Sequence, residues 1–264
     1  MSDGAAWAAM VSIRCFVRGL PLFFAAAPRT PLRVLGIIAL DTLHVLRRSR
    51  PLPRQRVREL AMFLDFEGCA NAAWDRKEMC AADYHALRQR LQWAGHGPLV
   101  ADYLGRLREL EQRRPAIGGD GLRFGEVRGY RERVARLSIA TAAAIAMDDG
   151  TLDEAIRATR ADGDLATLFH ILMQCQIVDD VIDYQEDWRA GLPSFLTAAA
   201  SLTEAMELTA TAAGHYAARS SVCRGVFPLR LVLAVVTAVT KIVIYIAERM
   251  RRHTLQPMPA LRSE

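Results

Sequence analysis

Residues 174–191, Gln-Cys-Gln-Ile-Val-Asp-Asp-Val-Ile-Asp-Tyr-Gln-Glu-Asp-Trp-Arg-Ala-Gly, place five carboxylates within nine positions directly after an apolar run. Read as a helix at about 100° per residue, Asp179, Asp183 and Asp187 stand at i, i+4 and i+8 on one stripe, with Gln176 and Glu186 beside them. Like charges at that spacing weaken a bare helix. The flanking Ile177, Val178, Val181 and Ile182 point to a partly buried helix, where the repulsion grows. A fold that buries such a wall must set positive charge against it. Hard divalent cations take oxygen ligands, and magnesium is commonly held by one or two carboxylates together with substrate phosphates. Asp179, Asp180, Asp183, Glu186 and Asp187 are therefore candidate magnesium ligands, with a diphosphate completing the site.

A chain of 264 residues, 52% hydrophobic and 24% charged, can bury the core of one large domain. Helical periods dominate and β-branched alternation is scarce, so the expected class is all-α. The spacing predicts helices near 5–26, 31–48, 54–80, 82–93, 98–113, 126–148, 151–159, 164–189, 201–222 and 227–252. Thr151-x-x-Glu154 and Ser201-x-x-Glu204 have capping-box spacing. Pro53 precedes one long helix and Pro193 follows another, while 113–121 reads as the clearest loop.

The acidic stretch also resembles known families. Gln176-x-x-Asp179-Asp180-x-x-Asp183 looks like the second aspartate-rich motif of trans-prenyl diphosphate synthases. Asp183-x-x-Glu186-Asp187-x-x-x-Gly191 looks like the corresponding motif of squalene and phytoene synthases. Leu168 through Phe195 is similar to the tetraprenyl-β-curcumene synthase family, and the stripe spacing matches the metal triad of terpene cyclases. All belong to the class I isoprenoid synthase superfamily. The resemblance implies a helical barrel around a central apolar cavity, roughly two or three magnesium ions as cofactor, and a prenyl diphosphate as substrate.

Such a site needs a second wall facing the first. Upstream, Glu67, Asn71, Asp75 and Glu78 share one helical face, and Asn71-x-x-x-Asp75-Arg76 is similar to the Asp-x-x-x-Asp-Arg of the curcumene synthase relatives. Glu67, Asn71 and Asp75 are the candidate ligands there, although no Asp-Asp-x-x-Asp is present. Terpene cyclases carry a diphosphate-sensing arginine upstream of the second motif, and Arg133 has a similar offset. Arg136 lies three residues on, and Lys241 interrupts the apolar run 231–247. These three are the candidate catalytic cations. Gln176 and the aromatic Phe66, Trp74, Phe169 and Tyr184 are candidate substrate contacts, since aromatic faces stabilise a cation, and Ala140–Ala146 would form a smooth wall.

Cyclisation of one prenyl diphosphate is the expected reaction. Head-to-head prenyl transfer is the enzymatic alternative, and an isoprenoid-lipid-binding helical protein with a residual metal site is the non-enzymatic one. The scattered cysteines Cys15, Cys69, Cys80, Cys175 and Cys223 form no Cys-x-x-Cys pair, against a zinc site or disulfide framework. Cys69 and Cys175 are expected as small wall residues. Arg14 and Arg18 inside the first apolar stretch argue against a secretory signal, and Arg230 and Lys241 leave the run near 226–247 too short to span a bilayer. A cytoplasmic protein is expected. The net charge of +5 comes without a basic face interleaved with aromatics, against nucleic acid as a partner. Arg47, Arg48, Arg50, Arg54, Arg56 and Arg58 form a basic cluster suited to peripheral contact with anionic lipid, and a homodimer is compatible with the chain.

Overall fold

The computed structural model of the chain describes residues 31–75, 81–119, 121–148, 150–217 and 228–254, together with Met10. The helix expected over 5–26, the cysteines Cys15, Cys80 and Cys223, and Arg76 and Glu78 of the upstream stripe lie outside the described residues. The described residues are mostly helical, with no strand among them. In chain order the helices are α1 (Pro31–Arg48), α2 (Arg54–Trp74), α3 (Ala81–Leu91), α4 (Gly97–Gln112), α5 (Gly121–Met147), α6 (Leu152–Ala161), α7 (Gly163–Ile182), α8 (Tyr184–Ala190), α9 (Leu202–His215) and α10 (Leu229–Thr254). A wide π-type turn, Gln92–His96, joins α3 to α4 and holds Gly95 at φ 89°, a conformation that favours glycine.

Local chemistry sets the boundaries. Thr151 caps α6 with the full reciprocal box, its side chain accepting from the Glu154 N–H and the Glu154 carboxylate accepting from the Thr151 N–H. Ser201 makes only the first half of that exchange at the start of α9. Asp162 caps α7 by accepting from the backbone N–H groups of Asp164 and Leu165, and its other oxygen receives Arg47 at 2.6 Å, which ties the end of α1 to the start of α7. At the α1–α2 turn, Asp41 accepts the Leu52 N–H at 2.6 Å. Gly191 ends α8 in the left-handed conformation at φ 67°.

Two departures from the expected helices matter. Helix α5 begins at Gly121, five residues before the predicted start, because Phe124 and Val127 are buried and extend its apolar face backward. The single helix expected over 164–189 is broken at Asp183, whose φ of −94° and ψ of 10° lie outside helical geometry. Aspartate is a weak helix former, and here it follows two others. The backbone bonds Asp183 N–H to Asp179 O and Asp187 N–H to Asp183 O survive at 2.8 and 2.9 Å, so the stripe continues across the break.

Two apolar clusters meet along α5. One gathers α1 to α4 around Phe63, Phe66, Tyr103 and Leu107. The other gathers α7, α9, α10 and the segment 195–199 around Phe169, Met173, Phe195 and Tyr216. Ile139 on α5 packs against both. Helix α10 lies along α7, burying Leu233, Thr237, Thr240 and Ile244. By length and composition alone, Gly163–Ile182 and Leu229–Arg251 are both long and apolar enough to cross a membrane.

Candidate active site

Helix α2 brings Glu67, Gly68, Asn71 and Asp75 to one side of a cavity of about 370 Å³. Helix α7 brings Cys175, Gln176 and Asp179 to it, and α5 brings Arg131, Val134, Ser138 and Ala142. Its interior is apolar, furnished by Leu40, Leu64, Ile139, Leu168, Ile171 and Leu172. Above it opens a smaller polar chamber of about 130 Å³ that shares Asn71, Asp75, Arg131, Gln176 and Asp179 and adds Asp180, Asp183, Asp187, Arg114 and Tyr130. An apolar pocket under an ionic mouth has the shape of a site for an amphiphile with a charged head.

Two guanidinium groups stand in that mouth. Arg131 forms an ion pair with Asp180, whose second oxygen accepts the Phe195 N–H at 2.7 Å. Burial pushes the Asp180 carboxyl up to about 6, against the pull of Arg131 and of that N–H. Burial works most strongly against charge on Arg131, but Asp180 first, then Tyr130, Asp187 and Asp179, together outweigh it and hold the guanidinium protonated. Arg131 Nε and Gln176 Oε1 are buried without a hydrogen-bond partner, and both residues line both chambers. Arg114 bridges Asp75 at 2.7 Å and Glu111 at 2.6 Å, and Glu111 accepts the Tyr130 hydroxyl at 2.7 Å. The turn after α8 is knit by Thr197, which accepts the Ser194 N–H and donates to Leu192 O, both at 2.7 Å; this holds the Phe195 N–H toward Asp180.

The structure brings Asn71, Asp75, Gln176, Asp179, Asp183 and Asp187 together at the mouth, as the two stripes predict. Asp180 also lines it, but with Arg131 and Phe195 on its two oxygens it is an anchor between α5 and α7 rather than an open ligand. Glu186 is exposed and off the lining. Glu67 lines the apolar cavity and not the ionic mouth; burial pushes its carboxyl up to about 7, against a hydrogen bond from Ser138.

The candidate cations require correction. Arg133 is exposed, about 130° round the helix from the face that carries Arg131, Val134 and Ser138. Arg136 sits 3.6 Å over the Phe169 ring and donates to Thr159 O. Lys241 is solvent-exposed, its ammonium having no need of a buried partner. The aromatics correct likewise. Phe66 is core, stacked on Tyr84, and Phe169 is core beneath Arg136. Trp74 is exposed, and Tyr184 packs beside Trp188 and the second cluster. The lipid-contact reading of the 47–58 arginines weakens too, since Arg47 is paired with Asp162 and Arg56 with Glu59 and Asp148. Cys175 does line the cavity, with a thiol pushed up by burial and so unreactive.

The residues missed by sequence reasoning are Arg131, Arg114, Ser138 and Tyr130. Arg131 was within reach: positions 131, 134, 138 and 142 form one i, i+3, i+7, i+11 stripe, and Arg133 is not on it. Arg114 carried no signal, since it lies just past the end of α4.

Among the described residues no three His, Cys, Asp or Glu side chains converge tightly enough to hold a metal ion by themselves. The donor set at the mouth is nonetheless all oxygen, which suits magnesium, an ion that completes its shell with water and substrate phosphate. The chain matches no protein-family model, no curated protein and no solved structure.

Proposed function

We propose that this chain is a class I terpene synthase that ionises a prenyl diphosphate and cyclises the resulting allylic cation. The observation that carries the reading is the apolar cavity of about 370 Å³ opening into a mouth where the Asn71/Asp75 and Asp179/Asp183/Asp187 walls meet two guanidinium groups. The isoprenoid tail lies among Leu64, Ile139, Leu168 and Ile171, and the diphosphate lies in the mouth. Magnesium held by Asp75, Asp179, Asp183 and Asp187 together with the phosphates would neutralise charge on the leaving group. Arg131 and Arg114 donate to the departing oxygens, where preorganised charge contributes most to rate. Neighbouring apolar side chains keep water from the cation. Glu67 lines the cavity with Ser138 on its carboxyl, which burial pushes up to about 7; in its ionised form, present above that value, it accepts the proton that ends the reaction. A cavity at the low end of the usual ligand-pocket range admits one tail and disfavours the head-to-head joining of two.

The test is incubation of the purified chain with magnesium and, separately, geranyl, farnesyl and geranylgeranyl diphosphate, following diphosphate release and extractable hydrocarbon. Release that Asp179→Ala/Asp183→Ala abolishes is the expected result. No release with any substrate overturns the reading. A second reading, an isoprenoid-lipid-binding protein, draws on the fact that Asp75 and Asp180 are already neutralised by arginines. Binding of a prenyl diphosphate with no turnover would favour it.

A further inference from the structure

Helix α10 has a buried side and a bare one, and the bare side is the more apolar. Toward α7 it turns Leu233, Thr237, Thr240 and Ile244, with the Thr240 hydroxyl 3.4 Å from Gln174 O. Outward it turns Leu231, Val235, Val239, Ile242, Tyr245 and Ile246, each 45–59% exposed. Positions 231, 235, 239, 242 and 246 follow i, i+4, i+8, i+11, i+15 and form one stripe about 22 Å long. Scattered exposed apolar residues are ordinary, but a contiguous stripe of this size marks an interaction surface.

Charge identifies the occupant. Lys241 is exposed on the flank of the stripe beside Tyr245, Arg230 at the start of the helix and Arg249 just past the stripe's end, while Glu248 is the single acid in the helix. A second copy meeting this face would enclose Lys241 near the middle of the contact with no acid on the stripe to receive it, Glu248 standing beyond the stripe's end. Length and composition would let this helix span a bilayer, but Lys241 near the middle of the run is costly there and the inner side of the helix is already packed on α7. An apolar stripe bordered by cations is the pattern of a helix lying in the plane of an anionic interface, where long side chains reach up to the headgroups. We propose that the outer face of α10 docks the protein on an anionic phospholipid bilayer, with Leu231, Val235, Val239, Ile242, Tyr245 and Ile246 inserted below the headgroups and Arg230 and Lys241 at headgroup level. This surface is independent of the chemistry proposed for the cavity.

The test floats the full chain with phosphatidylcholine vesicles, with and without phosphatidylserine, at low and high salt, alongside light scattering of the protein alone. The wild type should float with phosphatidylserine vesicles and release as salt rises. Val235→Glu/Ile242→Glu, at exposed positions and with helicity checked by circular dichroism, should weaken partitioning by more than about tenfold. Lys241→Glu should weaken it on anionic vesicles alone, which keeps the test decisive if the double variant misfolds. Equal flotation of the variants overturns the proposal. So does a non-floating dimer that Val235→Glu/Ile242→Glu dissociates, which assigns the face to a second copy. A non-floating monomer overturns it as well, leaving the face to a protein partner.

Discussion

Helices α7 and α10 are alike in composition and opposite in use. Both are long and apolar enough to pass for membrane spans, yet 56% of the apolar window of α7 is buried within the fold and only 28% of that of α10. Helix α7 is apolar nearly all round because neighbours surround it, and its polar positions are spent at one end on the acidic mouth. Helix α10 buries threonines and exposes valine, leucine and isoleucine. Small threonines let it approach α7 closely, so packing geometry rather than hydropathy decides which side faces inward. The apolar surplus of α10 is thus directed away from the fold, while the charge surplus of α7 is directed into it.

The sharpest way to break this comparison is to remove the cation that makes the α7 wall tolerable. Arg131→Ala leaves Asp180 buried without its partner and should cost about 3–5 kcal/mol in urea unfolding. Replacing both, Arg131→Met with Asp180→Leu, should recover most of that stability without restoring diphosphate release. A cost under about 1 kcal/mol for Arg131→Ala would mean that the pair does not hold α7 in place.

The two sides of α10 can be weighed against each other in the same assay. Leu233→Ala, at a fully buried position, should cost about 3 kcal/mol through lost burial and the cavity left behind.

The pH dependence of the cavity comes next in size. Glu67 has its carboxyl pushed from 4.5 up to about 7, so between those values the native state holds a proton that the unfolded chain has released. Stability contributed at this position is therefore present at low pH and lost as pH rises toward 7. Glu67→Gln should raise stability by about 3 kcal/mol above pH 7 and by nothing below pH 4.5, read as melting temperature against pH. If Glu67 ends the reaction, the same variant still releases diphosphate but changes the hydrocarbon. The smallest effect belongs to the outer side of α10, where Leu231→Ala should stay within about 0.5 kcal/mol in the absence of lipid.

Much of the helix order was legible because caps and loops are local: Thr151, Asp162, Gly191 and the 113–120 connection act over a few residues. The meeting of the two stripes was legible for the same reason, since a stripe needs only correct helical phase. What failed was the choice among several arginines on one helix. Arg133 was favoured by its offset, whereas Arg131 is selected by the face that carries Val134 and Ser138. The aromatics failed because Phe66 and Phe169 satisfy the pattern of a core residue and of a cavity residue equally well, and only the neighbouring helix tells them apart. The apolar stripe of α10 at 231, 235, 239, 242 and 246 is periodic, but nothing local says that α7 takes the opposite side and leaves this one bare.

The bond between Arg131 and Asp180 joins residues 49 positions apart in the chain, and it has a consequence for the order of events during folding. An α7 segment that forms before α5 arrives carries its crowded acids with nothing to neutralise them and is held back as a helix. Docking of α5 delivers the guanidinium and completes the rim in one step. The acidic stripe of α7 and the arginine of α5 are thus brought together by a long-range contact rather than a local one. On the function proposed above, a chain with an undocked α5 should bind no diphosphate, so that binding would report the docked state.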